Sequence, residues 1–89
     1  MMFKVFCIYD SAVQVWRTPI FARSKGEIMR SWIEACNKQD TDFGKYPDDY
    51  TLFEVGTFDD SCCKLEMYLT PDRIGLGREF VHLKPENVS

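Results

Sequence analysis

Residues 24–37 read SKGEIMRSWIEACN, and they predict the main helix of this chain. Ser24 and Glu27 have the spacing of a capping box, in which each side chain bonds the other residue's backbone N–H. Apolar residues then recur every three to four positions, as on one buried helix face. These residues are Ile28, Met29, Trp32, Ile33, Ala35 and Cys36. We therefore expect an amphipathic helix over 25–37 that packs against another layer and ends at Asn37.

Extended segments precede this helix. Residues 2–9 are rich in β-branched and aromatic side chains, which favour a strand. Phe6 and Ile8 make its second face apolar as well, so we expect this strand inside the sheet. Residues 13–22 predict a less regular segment. Because Pro19 lacks an N–H, that segment should lie at a sheet edge or break at the proline.

A polar loop and a hairpin follow the helix. Residues 38–49 predict a loop that two aromatic side chains hold against the body of the protein. Residues 50–58 predict a strand, Asp59-Asp60-Ser61 a tight turn, and 63–69 the partner strand. Apolar residues alternate with polar ones along 63–69, which indicates one buried face. They are Cys63, Leu65, Met67 and Leu69.

The end of the chain is less regular. Thr70-Pro71-Asp72 predicts the end of the second hairpin strand, and 73–81 fit either a short helix or a loop with a strand. The order of the segments predicts an α+β fold, a small antiparallel sheet packed against one main helix. The 89 residues fit one domain. We expect a single compact domain over 1–83 and a flexible C-terminal tail over 84–89.

The composition argues against several functional classes. A net charge of −3 does not suit strong non-specific binding to duplex DNA. Four cysteines without Cys-x-x-Cys spacing, and one histidine, favour reduced thiols over a zinc site. No nucleotide-binding loop or hydrolase motif is present, so we expect no catalysis, metal or cofactor. With neither a signal peptide nor a membrane-spanning run, we expect a cytosolic protein that does not associate with membranes.

The distribution of charge along the sequence is compatible with two interpretations. Residues 1–39 carry six Lys or Arg against three acids, whereas 40–89 carry five against eleven. These charges could mix over the surface once the chain folds. Alternatively, the molecule has a basic face and an acidic face, which would suit head-to-tail association or a local anion site.

Aromatic residues interleaved with bases form a candidate site for single-stranded nucleic acid. Nucleobases stack on exposed rings, while Arg and Lys follow the phosphates. The candidate residues are Trp16, Arg17, Phe21, Arg23, Lys25 and Arg30. If all four bases meet phosphates, log affinity should fall against log salt with a slope of about −2.8. The alternative is that Trp16 and Phe21 belong to the core.

Three blocks of the sequence resemble a small phage family. They are KVFCIYD at 4–10, PIFA at 19–22 and DYTLFEVGTFDD at 49–60. In their order they resemble the nonstructural protein of gokushoviruses, the tailless single-stranded DNA phages of the Microviridae. The resemblance implies a product made in the infected bacterium that is absent from the mature capsid and acts in single-strand genome synthesis. It carries over no site residues.

Two hypotheses follow. In the first, the protein acts in viral single-strand synthesis or packaging, by binding single-stranded DNA or the phage replication-initiation protein through its basic N-terminal half. In the second, it is a protein–protein adaptor or homodimer that uses a sheet edge or an acidic face. Both place the protein in the host bacterial cytoplasm.

Overall fold

Residues 1–83, which the computed structural model describes, contain five strands, one long helix and two short helices. In chain order the elements are β1 (Met2–Asp10), β2 (Val15–Trp16), β3 (Ile20–Ala22), α1 (Lys25–Cys36), α2 (Asp42–Lys45), β4 (Tyr50–Asp59), β5 (Lys64–Leu76) and a 3₁₀ helix (Gly77–Phe80). The chain is thus a small α+β protein with an antiparallel sheet and one main helix, as the sequence predicts. The tail predicted at 84–89 lies outside the described residues.

Strand β1 lies at the centre of the sheet. It pairs with β4 from Met2–Asp59 to Asp10–Tyr50, and its other edge pairs with both β2 and β3. Strand β5 pairs with the far side of β4, and all these pairings are antiparallel. The interior position predicted from the two apolar faces of this strand is therefore confirmed.

Pro19 separates β2 from β3. The two short strands end before it and begin after it, and both pair with β1. A proline has no N–H to donate to a ladder, so a continuous strand through this position would lose a hydrogen bond. The predicted break is confirmed.

Helix α1 begins at its predicted cap. The Ser24 hydroxyl accepts a hydrogen bond from the backbone N–H of Glu27, at 3.2 Å. At the other end, the Asn37 side-chain amide donates to the carbonyls of Ile33, Phe80 and Leu83. The helix is thereby joined to the segment around the 3₁₀ helix.

The main core lies between α1 and one face of the sheet, which we call the helix face. Its buried side chains come from both layers. They are Phe6, Ile8, Ala22, Ile28, Trp32, Ile33, Cys36, Tyr50, Leu52 and Phe80. Burial raises the pKa of the Cys36 thiol to about 12.

The predicted loop at 38–49 contains the short helix α2. Phe43 packs between two core rings, 5.4 Å from Trp32 and 4.9 Å from Tyr50 between ring centroids. Tyr46, however, is 57% exposed. Only one of the two aromatic residues expected to hold this loop therefore packs into the core.

Two predictions for the second hairpin strand are wrong. The strand does not end at Thr70-Pro71-Asp72 but continues to Leu76, because it is an edge strand in which Pro71 need not donate to a ladder. The side chains expected to be buried along 63–69 are all exposed, since no second layer in the described part of the chain covers their side of the sheet. The ambiguous segment 73–81 contains the end of β5 and then the 3₁₀ helix.

Candidate functional site: the open face of the sheet

The second face of the sheet carries apolar side chains that no helix covers within residues 1–83. Residues directly opposite in an antiparallel pair lie on the same face, so the register identifies them. We call this surface the open face. It consists of Phe3, Val5, Cys7, Tyr9, Trp16, Phe21, Phe53, Val55, Phe58, Leu65 and Met67. Its buried cluster, formed by Val5, Cys7 and Val55, includes no helical residue.

Two groups of aromatic rings lie on the open face. In the first, Trp16 lies between Tyr9 and Phe53, at 4.9 and 5.0 Å between ring centroids. In the second, Phe58 lies 5.5 Å from Phe21 and 6.4 Å from Phe3. Edge and tilted contacts of this kind are favourable between aromatic rings and hold them in place.

The two predicted aromatic site residues are accessible. Trp16 is 44% exposed and Phe21 is 50% exposed. Both belong to short strands that pair with β1, so the fold brings them onto the same face. They are therefore not core residues, although each rests on a neighbouring ring.

The predicted base Arg17 lies on the other side of the sheet. Its guanidinium carbon is 5.1 Å from the centroid of Phe43 and 5.8 Å from that of Tyr50, and both rings belong to the helix layer. Its nitrogen is also 3.9 Å from a carboxylate oxygen of Asp42. The positive charge of Arg17 thus already interacts with a carboxylate and with two aromatic rings.

The other three predicted bases are exposed and carry no ionic partner among residues 1–83. Arg23 lies in the connection from β3 to α1, while Lys25 and Arg30 lie on the helix itself. By contrast, most other bases have carboxylate partners. The pairs are Lys4–Glu54, Arg17–Asp42, Lys38–Glu34, Lys64–Glu66, Arg73–Glu79 and Arg78–Asp48. Free positive charge is therefore concentrated in the stretch that follows Phe21.

The six predicted residues do not form one cluster. The two rings lie on the open face, two of the bases belong to the helical layer, and Arg23 connects these parts. Arg17 faces the helix layer. The two rings thus share the open face, whereas Lys25 and Arg30 belong to the helix that packs on the opposite face.

An apolar groove of about 410 Å³ crosses the open face. Trp16 and Pro19 line one side, and Tyr68 and Pro71 line the other. The buried Cys7 and Val55 also line the groove. Sequence reasoning missed this groove. The available signal was a hydrophobic content of 45% together with a single predicted long helix. Because one helix can cover only one side of a sheet, apolar side chains should remain exposed on the other side.

A four-residue bulge in β5 forms one wall of the groove. Between the pairs Gly56–Met67 and Glu54–Asp72, residues 68–71 have no partner in β4. Such a bulge bends a strand and redirects its side chains. Its most exposed residue is Leu69, which is as accessible as in an extended chain.

A buried carboxylate ties this bulge to the sheet. Glu54 is 8% exposed, and its Oε2 accepts a hydrogen bond from the Tyr68 hydroxyl. The ammonium group of Lys4 lies 3.5 Å from the same oxygen. The hydrogen bond to Glu54, followed by burial, raises the pKa of Tyr68 to about 12.

This pKa gives a pH prediction. Between about pH 10 and 12, folded Tyr68 keeps a proton that the unfolded chain has released, so the free energy of unfolding should fall over this window. We expect an ultraviolet titration to show a tyrosine that ionises near pH 12, and Tyr68→Phe should remove it. Glu54→Gln should move this transition to lower pH. An unchanged transition in Glu54→Gln would contradict the assigned cause.

Other kinds of site have little support in the described part of the chain. Within it, no three His, Cys, Asp or Glu side chains converge as a metal site requires. No helix there combines the length and apolar character needed to cross a bilayer. All four cysteines are free; Cys7 and Cys36 are buried, whereas Cys62 and Cys63 are exposed in the turn between β4 and β5.

A comparison with protein-family models finds one that matches residues 3–80 and is described as Phage ORF5 protein. The chain belongs to this family. The match extends from β1 to the 3₁₀ helix, so the open face and the groove both lie within the ORF5 region. No curated protein and no solved structure matches the chain. Membership of the ORF5 family makes this a phage protein, in agreement with that part of the sequence resemblance.

Proposed function

We propose that this phage ORF5 protein is a non-enzymatic factor that binds single-stranded DNA during synthesis or packaging of a single-stranded phage genome, as in the gokushoviruses. The observation that carries the proposal is the pair of half-exposed rings, Trp16 and Phe21, on a sheet face that no layer covers within residues 1–83. Its place of action is the host bacterial cytoplasm.

Base stacking and phosphate contacts would both contribute to the binding affinity. Nucleobases stack on exposed aromatic rings with about 1–3 kcal/mol each, irrespective of sequence. Arg23, Lys25 and Arg30 lack ionic partners among the described residues and so can meet phosphates, Arg23 just after the strand of Phe21 and the other two on α1. The net charge of −3 opposes binding from a distance, so these local contacts must supply the affinity.

The salt dependence of binding tests this proposal. Arg17 is engaged by Asp42, which leaves three bases for phosphates. With about −0.7 for each contact on a single strand, log affinity should fall against log salt with a slope of about −2.1, rather than −2.8. Fluorescence anisotropy of a labelled oligonucleotide at several salt concentrations measures the slope.

Single substitutions separate the two kinds of contact. Phe21→Ala should weaken binding by roughly tenfold at every salt concentration, because one stacking platform is lost. Arg23→Gln should reduce the slope by about 0.7. The matched control is Lys38→Gln, since Lys38 is an exposed base already paired with Glu34. Absent binding, or binding indifferent to salt, would remove the proposal.

A protein partner is the second candidate, and the apolar groove favours it. The groove carries few charges for a phosphate chain, while exposed apolar surface is typical of protein contacts. The phage replication-initiation protein is one such partner. Co-sedimentation of the two purified proteins without DNA would test this candidate.

A further inference from the structure

The β5 edge of the sheet exposes an unusual amount of apolar surface. Leu65 is 53% exposed, Met67 60% and Leu69 fully exposed. Within residues 1–83, β5 pairs only with β4, and it lies at the opposite edge of the sheet from β2 and β3. Contiguous apolar surface of this kind marks a contact site on a soluble protein.

A projection and a groove lie side by side at this edge. Leu69 stands on the bulge, while Tyr68 and Pro71, which flank it, line the apolar groove. The Tyr68–Glu54 hydrogen bond fixes the bulge to β4, so the projection is held in place before any contact forms. Because the projection and the groove are adjacent, a two-fold axis between two molecules can bring the projection of each over the groove of the other.

We propose that a second copy of this chain docks here, with Leu69 of each copy inserted into the groove of the other. The groove, of about 410 Å³, has room for a leucine side chain. Cys7, Trp16, Val55 and Met67 give it a mostly apolar lining. Arg17 also lines the groove, but its guanidinium lies beside Asp42 and Phe43, so the leucine would not leave that charge without a partner. The dimer can form without DNA, but it would cover Trp16, so dimerisation and base stacking on that ring compete.

The exposed area is sufficient for a reversible dimer. Trp16, Leu65, Met67, Tyr68 and Leu69 are each between 37% and 106% exposed. If each is given the area of an aromatic side chain, about 150–250 Å², they offer roughly 450–750 Å² per copy. A standard interface buries about 800 Å² per partner, so the contact falls at the smaller end.

Charge gives this contact a distinct signature. Each copy carries a net charge of −3, so two copies repel one another at low salt. The apolar surfaces that meet add no compensating ion pair. Added salt screens the repulsion, so the dimer should become stronger as salt increases, whereas DNA binding should become weaker.

Analytical ultracentrifugation over micromolar to millimolar concentrations tests the dimer, without DNA and with a reductant that keeps Cys62 and Cys63 from cross-linking. We expect a monomer–dimer equilibrium for the unaltered protein. Leu69→Asp should raise the dissociation constant by about a hundredfold or more, since each dimer loses two buried leucines. Leu69 is fully exposed in the monomer, so circular dichroism should show unchanged folding.

Leu83→Asp is the matched control. Leu83 is 43% exposed, and its backbone bonds to Asn37 and Phe80 in the helical layer, away from the groove. This variant should dimerise normally, and so should Arg23→Gln. A protein that stays monomeric at millimolar concentration would overturn the proposal. So would a Leu69→Asp variant that dimerises as well as the unaltered chain, or a dimer that added salt dissociates.

Discussion

Phe6→Ala should lower the free energy of unfolding by about 3–5 kcal/mol. Phe6 is fully buried on the central strand, where it packs in the cluster that joins the sheet to α1. Truncation removes apolar contacts and leaves a cavity that β1 cannot close, because strands pair with it on both sides. At about 0.05–0.15 kcal/mol per residue, a chain of this length has roughly 4–13 kcal/mol to lose. The variant should therefore be close to unfolding.

Urea denaturation followed by circular dichroism measures this loss. Phe21→Ala is the matched control, since it makes the same change on a neighbouring strand where the ring is 50% exposed. Its loss should stay below about 1.5 kcal/mol, mainly the contact with Phe58. Equal losses in the two variants would mean that the open face is not open in solution.

Gly56→Ala should destabilise the fold by about 2–3 kcal/mol. Gly56 is buried in β4 and pairs with Val5 on one side and Met67 on the other. An added Cβ would lie 2.3 Å from the carbonyl oxygen of Glu66 and 3.2 Å from the Cα of Met67. Since both atoms are backbone, no rotamer change relieves the contact, and β5 must move away from β4.

Thermal and urea unfolding of this variant give the measurement. The control is Gly26→Ala, which makes the same change in the first turn of α1 and should raise stability by up to about 1 kcal/mol through helix propensity. The two substitutions should therefore shift the unfolding midpoint in opposite directions. A Gly56→Ala variant as stable as the unaltered protein would show that the β4–β5 contact is looser than described.

The sequence predicts those features of the fold that depend on local chemistry. Ser24 caps the helix because a hydroxyl at that position satisfies a free N–H. Pro19 divides β2 from β3 because it lacks a donor. Phe6 and Ile8 placed β1 inside the sheet because a strand with two apolar faces needs cover on both sides.

Which face of the sheet is covered by a second layer could not be predicted from local chemistry. The alternation at Leu65 and Met67 correctly shows that they share one side of a strand. It cannot show whether another layer lies over that side, since this depends on how many helices the whole chain supplies. Here α1 covers the opposite face, so both side chains remain exposed.

The arrangement of the candidate site could also be predicted only in part. Trp16 and Phe21 share a face because Trp16 pairs with Tyr9 and Phe21 with Val5, both on the same side of β1. Simple alternation would put two residues five apart on opposite faces, and the break at Pro19 removes that alternation. Arg17 faces the other layer because Asp42 and Phe43 lie there, well over twenty positions away in sequence. The β5 bulge depends on how β4 pairs with β5. The sequence around Leu69 therefore does not predict it.

The place of β1 in the sheet also bears on how the protein is made. This strand is synthesised before the rest of the sheet, and its long partner β4 comes much later, as Lys4 and Glu54 are 50 positions apart. Until then, the nascent chain can pair β1 only with the short β2 and β3. Such non-local pairing slows folding and leaves an unpaired apolar strand exposed meanwhile. Chaperones that hold nascent chains should therefore engage this protein at its N-terminal strand.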